Sequence, residues 1–451
     1  MKRNRLLWGC LTALLALAAC EDDTSAPSKE TTTEEWLTQF LHTEYLWCDE
    51  AKEKTPDASS PERLFYSLLS DKDGKDRADG THYYYSYIEK KTSTKSIDAT
   101  SSYGFEFVLY QVVGDIHADP YYYARILYVL PDTPASRAGL QRGDWLFYLN
   151  GERITSSNYR QLANGGAIEL TVSRSTTQLG RKVKVEASEP VEENPIFKDT
   201  LLMAGNTKVG YLAYNQFRSG LGGDASDGTY DNQLRDLFQH FREAGATEFV
   251  LDLRYNGGGL LSSAQLLAGC LAPAAHRGST FCYLEDSRGR KDAYPMTGSY
   301  GGNLDLRRLF VLTSSQTASA SEAVINGLRP YMEVIQIGER TEGKNVGSIH
   351  EEHGEWAIQP IVYRIYNAKQ QSDYASGLVP TAGYACDELK TSQNATLLPL
   401  GDPKEFMLAK ALAAIQGTTA QTASAPTAPA AETGEPVYRS LADKPVPPLV
   451  Y

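Results

Sequence analysis

Leu309-Phe310-Val311-Leu312-Thr313-Ser314-Ser315-Gln316-Thr317-Ala318-Ser319-Ala320-Ser321-Glu322 is the stretch from which the rest of the chain can be read. A short apolar run with strand character leads into a Ser/Thr-rich turn, and a helical pattern continues to Leu328. Val334-Ile335-Gln336-Ile337-Gly338 is a further strand pattern, and Lys344 lies in the loop after it, 25 residues beyond Ser319. Upstream, Phe249-Val250-Leu251-Asp252-Leu253 reads as a buried strand that ends in Arg254-Tyr255-Asn256-Gly257-Gly258-Gly259. Strand, turn, helix and strand again is how open α/β sheets gather reactive groups at strand C-termini. The same region, 194–416, holds a strand at Val209-Gly210-Tyr211-Leu212. An amphipathic helix runs from Asp231 to Ala244 with Leu234, Leu237, Phe238 and Phe241 on one face, and a last helix spans Lys404 to Ile415.

Two other regions precede it. Between Glu34 and Leu69, Trp36, Phe40 and Leu41, then Leu64, Phe65, Leu68 and Leu69, recur at helical spacing around a break at Lys54-Thr55-Pro56-Asp57. A small helical cap over 34–97, with no chemistry of its own, is expected. Residues 98–190 change to short strands. Pro134 starts a short helix, Gly139 stops it, and Asn150-Gly151 makes a hairpin turn. From Tyr103-Gly104-Phe105 to Gly151 this stretch resembles a PDZ domain of the bacterial protease type. The resemblance implies that the Tyr103-Gly104-Phe105 turn binds a peptide's C-terminal carboxylate while the peptide adds as a strand.

Taken in order, the PDZ-like region, the Gly257-Gly258-Gly259 turn, the Ser319 segment and Gly343-Lys344 resemble the C-terminal processing, or tail-specific, serine peptidases. The resemblance runs from Tyr103 to Ala414. It implies a multidomain protein: a helical N-terminal region, a β-rich PDZ domain and an α/β protease domain of the crotonase-like or ClpP-like kind, without a cofactor or metal. Ser319 would be the nucleophile and Lys344 its base. A serine hydroxyl needs an adjacent base, and a lysine serves only when desolvation lowers its pKa. Glu342 must therefore point away from Lys344. Gly258 or Gly259, together with the Ala320 N–H at the helix entrance, would face a developing oxyanion. Glu322 matches an acidic supporting position. Two departures stand out: Ser348 replaces the glutamine many members carry four residues after the lysine, and Pro330 replaces an aspartate that some carry. A related branch uses a Ser–His relay, but His240, His350 and His353 lie in no motif of that branch. His350-Glu351-Glu352-His353 lacks metal-site spacing. The rival reading is a binding protein that keeps the fold with an inert site. A carbohydrate-binding lipoprotein is a third reading, supported only by the Tyr121-Tyr122-Tyr123 run, which reads equally as strand surface.

The ends suggest a location. Lys2, Arg3 and Arg5 precede an apolar run, Leu6 to Ala19, which ends in Leu17-Ala18-Ala19-Cys20. Residues 1–20 read as a lipoprotein signal with Cys20 acylated, the alternative being an ordinary secretory signal. Residues 21–33 read as a polar tether. An envelope protein held to the membrane through Cys20 is expected, whether periplasmic or surface-facing. The formal charge of −12 with no basic stripe argues against nucleic acid, and the resemblance implies protein or peptide substrates with free C-termini as partners. Cys270 and Cys282 are either a disulfide or buried free thiols. The Ala/Thr/Pro-rich stretch 417–451 is expected to be disordered. Its last residues, Pro447-Pro448-Leu449-Val450-Tyr451, are of the apolar, extended kind that a PDZ groove accepts, so the tail either occupies its own groove or a neighbour's, or has no partner.

Overall fold

The computed structural model describes residues 31–77, 80–91, 101–112, 120–175, 180–298, 302–390, 397–418, 433–444 and 448–450. The signal segment, Cys20 and most of the tether lie outside them. Among the described residues no helix is long and apolar enough to cross a membrane.

The sheet of the α/β domain has five strands in the order Ile196–Ala204, Thr207–Tyr214, Glu248–Asp252, Arg308–Thr313 and Glu333–Gly338. The first pair is antiparallel and the others are parallel. Side chains alternate across it, as a period of two requires. Phe249, Leu251, Leu309 and Val311 join a core with the helices Thr229–Glu243, Leu261–Leu271 and Ala320–Leu328. Val250, Phe310 and Leu312 face the other way, towards the helix Phe406–Gln416 and Tyr110, Tyr128 and Trp145 of the β-domain. Burial on both faces explains the near-continuous apolar runs. Leu234 and Phe238 are fully buried on the helix Thr229–Glu243, each contributing about 1.5–3 kcal/mol of apolar burial.

The β-domain is one sheet in the order Arg181–Val185, Ile168–Ser173, Trp145–Leu149, Glu152–Thr155, Tyr121–Val129, Phe105–Val112 and Thr433–Arg439. Its helix Pro134–Arg137 is capped by Thr133. Asn150 and Gly151 both have positive φ, 53° and 84°, as a type I′ hairpin demands. The outermost strand corrects the expectation for the tail. Thr433–Arg439 pairs antiparallel with Phe105–Val112, and a 3₁₀ turn, Ser440–Asp443, follows it. Composition gave no hint of this, because the pairing partner lies more than 300 positions upstream in sequence.

At the N-terminal end, Thr33–Thr43, Cys48–Glu53 and Pro61–Leu68 are helices. The first begins with a capping box: Glu35 N–H donates to Thr32 Oγ1 (3.2 Å) and Thr32 N–H to Glu35 Oε2 (3.1 Å). Leu37, Leu41, Leu64, Phe65 and Leu68 pack against Val346, Trp356, Ile358 and Ile361. The cap therefore rests on the strands just beyond Lys344. Cys48, Cys270, Cys282 and Cys386 are buried free thiols, which settles the cysteine alternative.

Buried charges join the β-domain to the α/β domain. Arg142 donates to Glu388 (2.6 Å), and Arg254 forks onto Glu405 at 2.8 and 3.0 Å while also meeting Asp252 (2.8 Å) and Glu388. Burial raises the Glu388 pKa, but Arg142 and Arg254 outweigh it and hold the carboxyl well below its usual range.

Candidate active site

Ser319 stands where the strand Arg308–Thr313 has ended and the helix Ala320–Leu328 begins. Its backbone has φ 55° and ψ −117°, a conformation that costs an L-residue about 1–3 kcal/mol and persists only where the surroundings enforce it. They do so here. Thr317 Oγ1 donates to Leu253 O (2.8 Å), Ala318 N–H to Asn256 O (3.2 Å), and Ser321 Oγ to the same carbonyl (3.0 Å). Asn256 Nδ2 donates to Tyr214 O (2.7 Å). The serine turn and the glycine turn thus hold each other in place.

Gly258 approaches the serine closely. A Cβ built on it would lie 2.7 Å from Ser319 Cβ and 3.1 Å from the Ala320 nitrogen, and its φ is 110°. Only glycine keeps that space open. The Gly258 N–H itself donates back to Asn256 Oδ1 (2.8 Å). Among the described residues the Gly259 and Ala320 N–H groups donate to nothing. These two amides are therefore free of protein acceptors, whereas that of Gly258 is taken.

Glu322 does more than the sequence suggested. Buried one turn into the helix, its carboxylate accepts from Ser319 N–H (3.0 Å), Thr341 Oγ1 (2.5 Å), Gly343 N–H (2.6 Å) and Lys344 N–H (2.8 Å). One oxygen, Oε2, takes both the Ser319 and the Lys344 amides. Burial raises its pKa to about 7, against those four donors, which lower it.

Lys344 keeps part of its surface open, yet burial of its amine pushes its pKa below the ordinary lysine value, with Asp73, Glu342 and Glu322 pulling the other way. Among the described residues it makes no ion pair. Glu342 is turned onto Tyr83, Tyr85 (2.9 Å) and Lys75 (3.5 Å) instead. The Tyr85 ring lies 5.1 Å from Lys344 Nζ. Asp73 accepts from Tyr45, Ser86 and the amides of Tyr85 and Ser86. The N-terminal region, expected to be chemically idle, therefore lines the lysine. Only the Tyr83-Tyr84-Tyr85 run hinted at this, and nothing local ties it to position 342.

Ser348 Oγ accepts from Gln359 (3.2 Å), so a glutamine amide reaches this position from a neighbouring strand. His350 meets Glu352 (3.1 Å) and His353 meets Thr31 O (3.0 Å), and His240 is exposed on its helix. In the β-domain, Tyr103 and Phe105 are buried in its core. Gly104 has φ 84°, and its N–H donates to Ser102 Oγ (3.0 Å).

An α/β sheet that presents a serine on a strained strand-to-helix turn is a layout shared by serine hydrolases. Residues 208–382 match the profile of peptidase family S41. A Bacteroides fragilis structure assigned to the S41 proteases is 33% identical, with a TM-score of 0.72 over 85% of this chain and 97% of that one. A carboxyl-terminal-processing protease of Picosynechococcus is 29% identical over 227 residues, 49% of this chain and 50% of the relative. The photosystem II D1 C-terminal processing protease shares the fold at 17% identity, with a TM-score of 0.50 over 85% of this chain and 97% of that one. The chain belongs to peptidase family S41, the C-terminal processing serine peptidases. It spans about half the length of the curated relatives it matches.

Proposed function

We propose that the chain is a serine endopeptidase of the cell envelope, anchored through an acylated Cys20. It recognises protein C-terminal tails through the β-domain acting as a PDZ, and cleaves with Ser319 and Lys344. The observation that carries this reading is the Glu322 carboxylate, which fixes the Ser319 and Lys344 backbones together while the lysine amine is left without a carboxylate partner. Lysine must be neutral to act as a base, and burial favours that form.

In the chemistry this supports, neutral Lys344 takes the Ser319 hydroxyl proton as Oγ attacks the scissile carbonyl carbon. The Gly259 and Ala320 N–H groups receive the developing oxyanion. The tetrahedral intermediate expels the amine, which takes its proton from the Lys344 ammonium and leaves an acyl-serine. Water then attacks with Lys344 again as base, releasing the new carboxylate and restoring the serine hydroxyl. The Picosynechococcus relative, named for carboxyl-terminal processing, supports tails as the substrate class.

A serine-directed fluorophosphonate tests this. The wild-type chain should be labelled, with the adduct on Ser319, and Ser319→Ala should not be. Absence of labelling in a folded protein that still binds peptides would favour the inert binding protein.

A further inference from the structure

Two stretches near the end of the chain, 433–444 and 448–450, make peptide-like contacts, the first at the β-domain and the second at the catalytic cleft. At the β-domain, Thr433–Arg439 lies antiparallel on the free edge of the strand that follows the Tyr103-Gly104-Phe105 turn. Phe107 N–H donates to Ser440 Oγ (2.8 Å). The Tyr438 ring sits 4.9 Å from Tyr159 and 5.9 Å from Phe107, between the short helix Tyr159–Leu162 and the strand. This is where an incoming peptide strand would add. Arg439 then reaches Glu339 of the catalytic domain (3.6 Å).

At the cleft, Leu449 O accepts from Leu261 N–H (2.8 Å), just past the glycine turn, and Val450 N–H donates to Ser348 O (3.2 Å), just past Lys344. Main-chain bonds to both walls are how an extended peptide is held for cleavage. The Leu449 side chain is 2% exposed and belongs to the main catalytic-domain core, and a Cβ added at Gly347 would collide with its Cδ2. Its pocket is shaped for an aliphatic side chain of this size.

We propose that residues 433–444 and 448–450 are an intramolecular ligand, the first stretch filling the peptide edge of the β-domain and the second the catalytic cleft. The folded chain is self-inhibited, and a substrate must offer an extended segment with an aliphatic residue for the Leu449 pocket to displace it. This rests on the peptidase reading and extends it to substrate class and regulation. The mode differs from the one expected from sequence, because residues 433–439 lie at the β-domain edge and 448–450 lie in the cleft. Tethering gives the segment an effective concentration of about millimolar, so a weak fit is sufficient.

The test compares the intact chain with one lacking 433–451 and with full-length Leu449→Asp, which keeps the β-domain strand. Fluorophosphonate labelling of Ser319 and peptide kcat/KM should both rise roughly tenfold or more in the shortened chain and in Leu449→Asp. A synthetic 433–451 peptide added to the shortened chain should reverse the gain. In a Ser319→Ala background, a fluorescein-labelled 433–451 peptide should bind the shortened chain and not the intact one. Measurable labelling at the same rate in all three chains, or equal binding of the labelled peptide with and without the tail, would overturn the proposal. If no chain is labelled yet the Ser319→Ala binding difference stands, the peptidase reading fails while the intramolecular ligand survives.

Discussion

Glu342 and Lys344 are two positions apart, and an ammonium beside a carboxylate stays charged. The fold prevents that contact with Tyr83 and Tyr85, which bind the Glu342 carboxylate. Replacing both with Phe frees the carboxylate to approach the amine, and an opposite charge favours the protonated form. The rising limb of kcat/KM against pH should therefore move to higher pH by roughly one unit. An unmoved limb would remove the two tyrosines from any role in tuning the base. Glu322 offers a test in stability. Its pKa of about 7 lies above the ordinary 4.5, so the neutral form is favoured in the folded state. That contribution is fully present below the unfolded pKa and lost as pH rises through the folded one. Glu322→Gln lacks this titration. Its stability relative to wild type, from urea unfolding, should improve by about 3 kcal/mol between pH 4.5 and pH 8. A constant difference across that window would show that Glu322 is charged throughout. Ser319, Lys344, Glu322 and the glycines could be picked out as one candidate site because each sits in a short motif. Tyr83, Tyr85 and Asp73 were not, since their meaning depends on long-range packing.

The strand ending at Asp252 and the turn after it matter more as a unit than as separate residues. Arg254 is anchored by Glu405, Glu388 and Asp252, and Arg142 brings the β-domain to the same Glu388. The position of the glycine turn is thereby coupled to that of the β-domain. Arg142→Met leaves Glu388 with Arg254 as its one cationic partner beside the Tyr255 hydroxyl, and removing one charge from a buried ionic cluster costs about 3 kcal/mol. Urea unfolding should show that loss, and an unchanged midpoint would mean the interdomain charges contribute nothing net. The sheet strands and the helices Thr229–Glu243 and Ala320–Leu328 were readable from periodicity, which reports burial on a fixed face. The strand Thr433–Arg439 was not. Its side chains include Pro436 and an exposed Val437, and its order comes from pairing with a distant edge.

Across the whole molecule, three regions meet at one lysine. The N-terminal cap covers it, the catalytic sheet presents it beside the serine turn, and the tail segment lies along the wall just beyond it. The division into cap, β-domain and α/β domain could be read from shifts in pattern along the chain. Their convergence could not, because sequence separation hides which surfaces touch. In the proposed mechanism Lys344, whose pKa burial lowers, removes the proton from Ser319. The most direct measurement is the pH dependence of kcat/KM for peptide hydrolysis by wild type and Lys344→Ala, with circular dichroism to confirm that both are folded. Wild type should show activity rising with pH through a pKa below that of an ordinary lysine, and Lys344→Ala should lose hydrolysis at every pH. A folded Lys344→Ala that retains most of the wild-type kcat/KM would contradict the account.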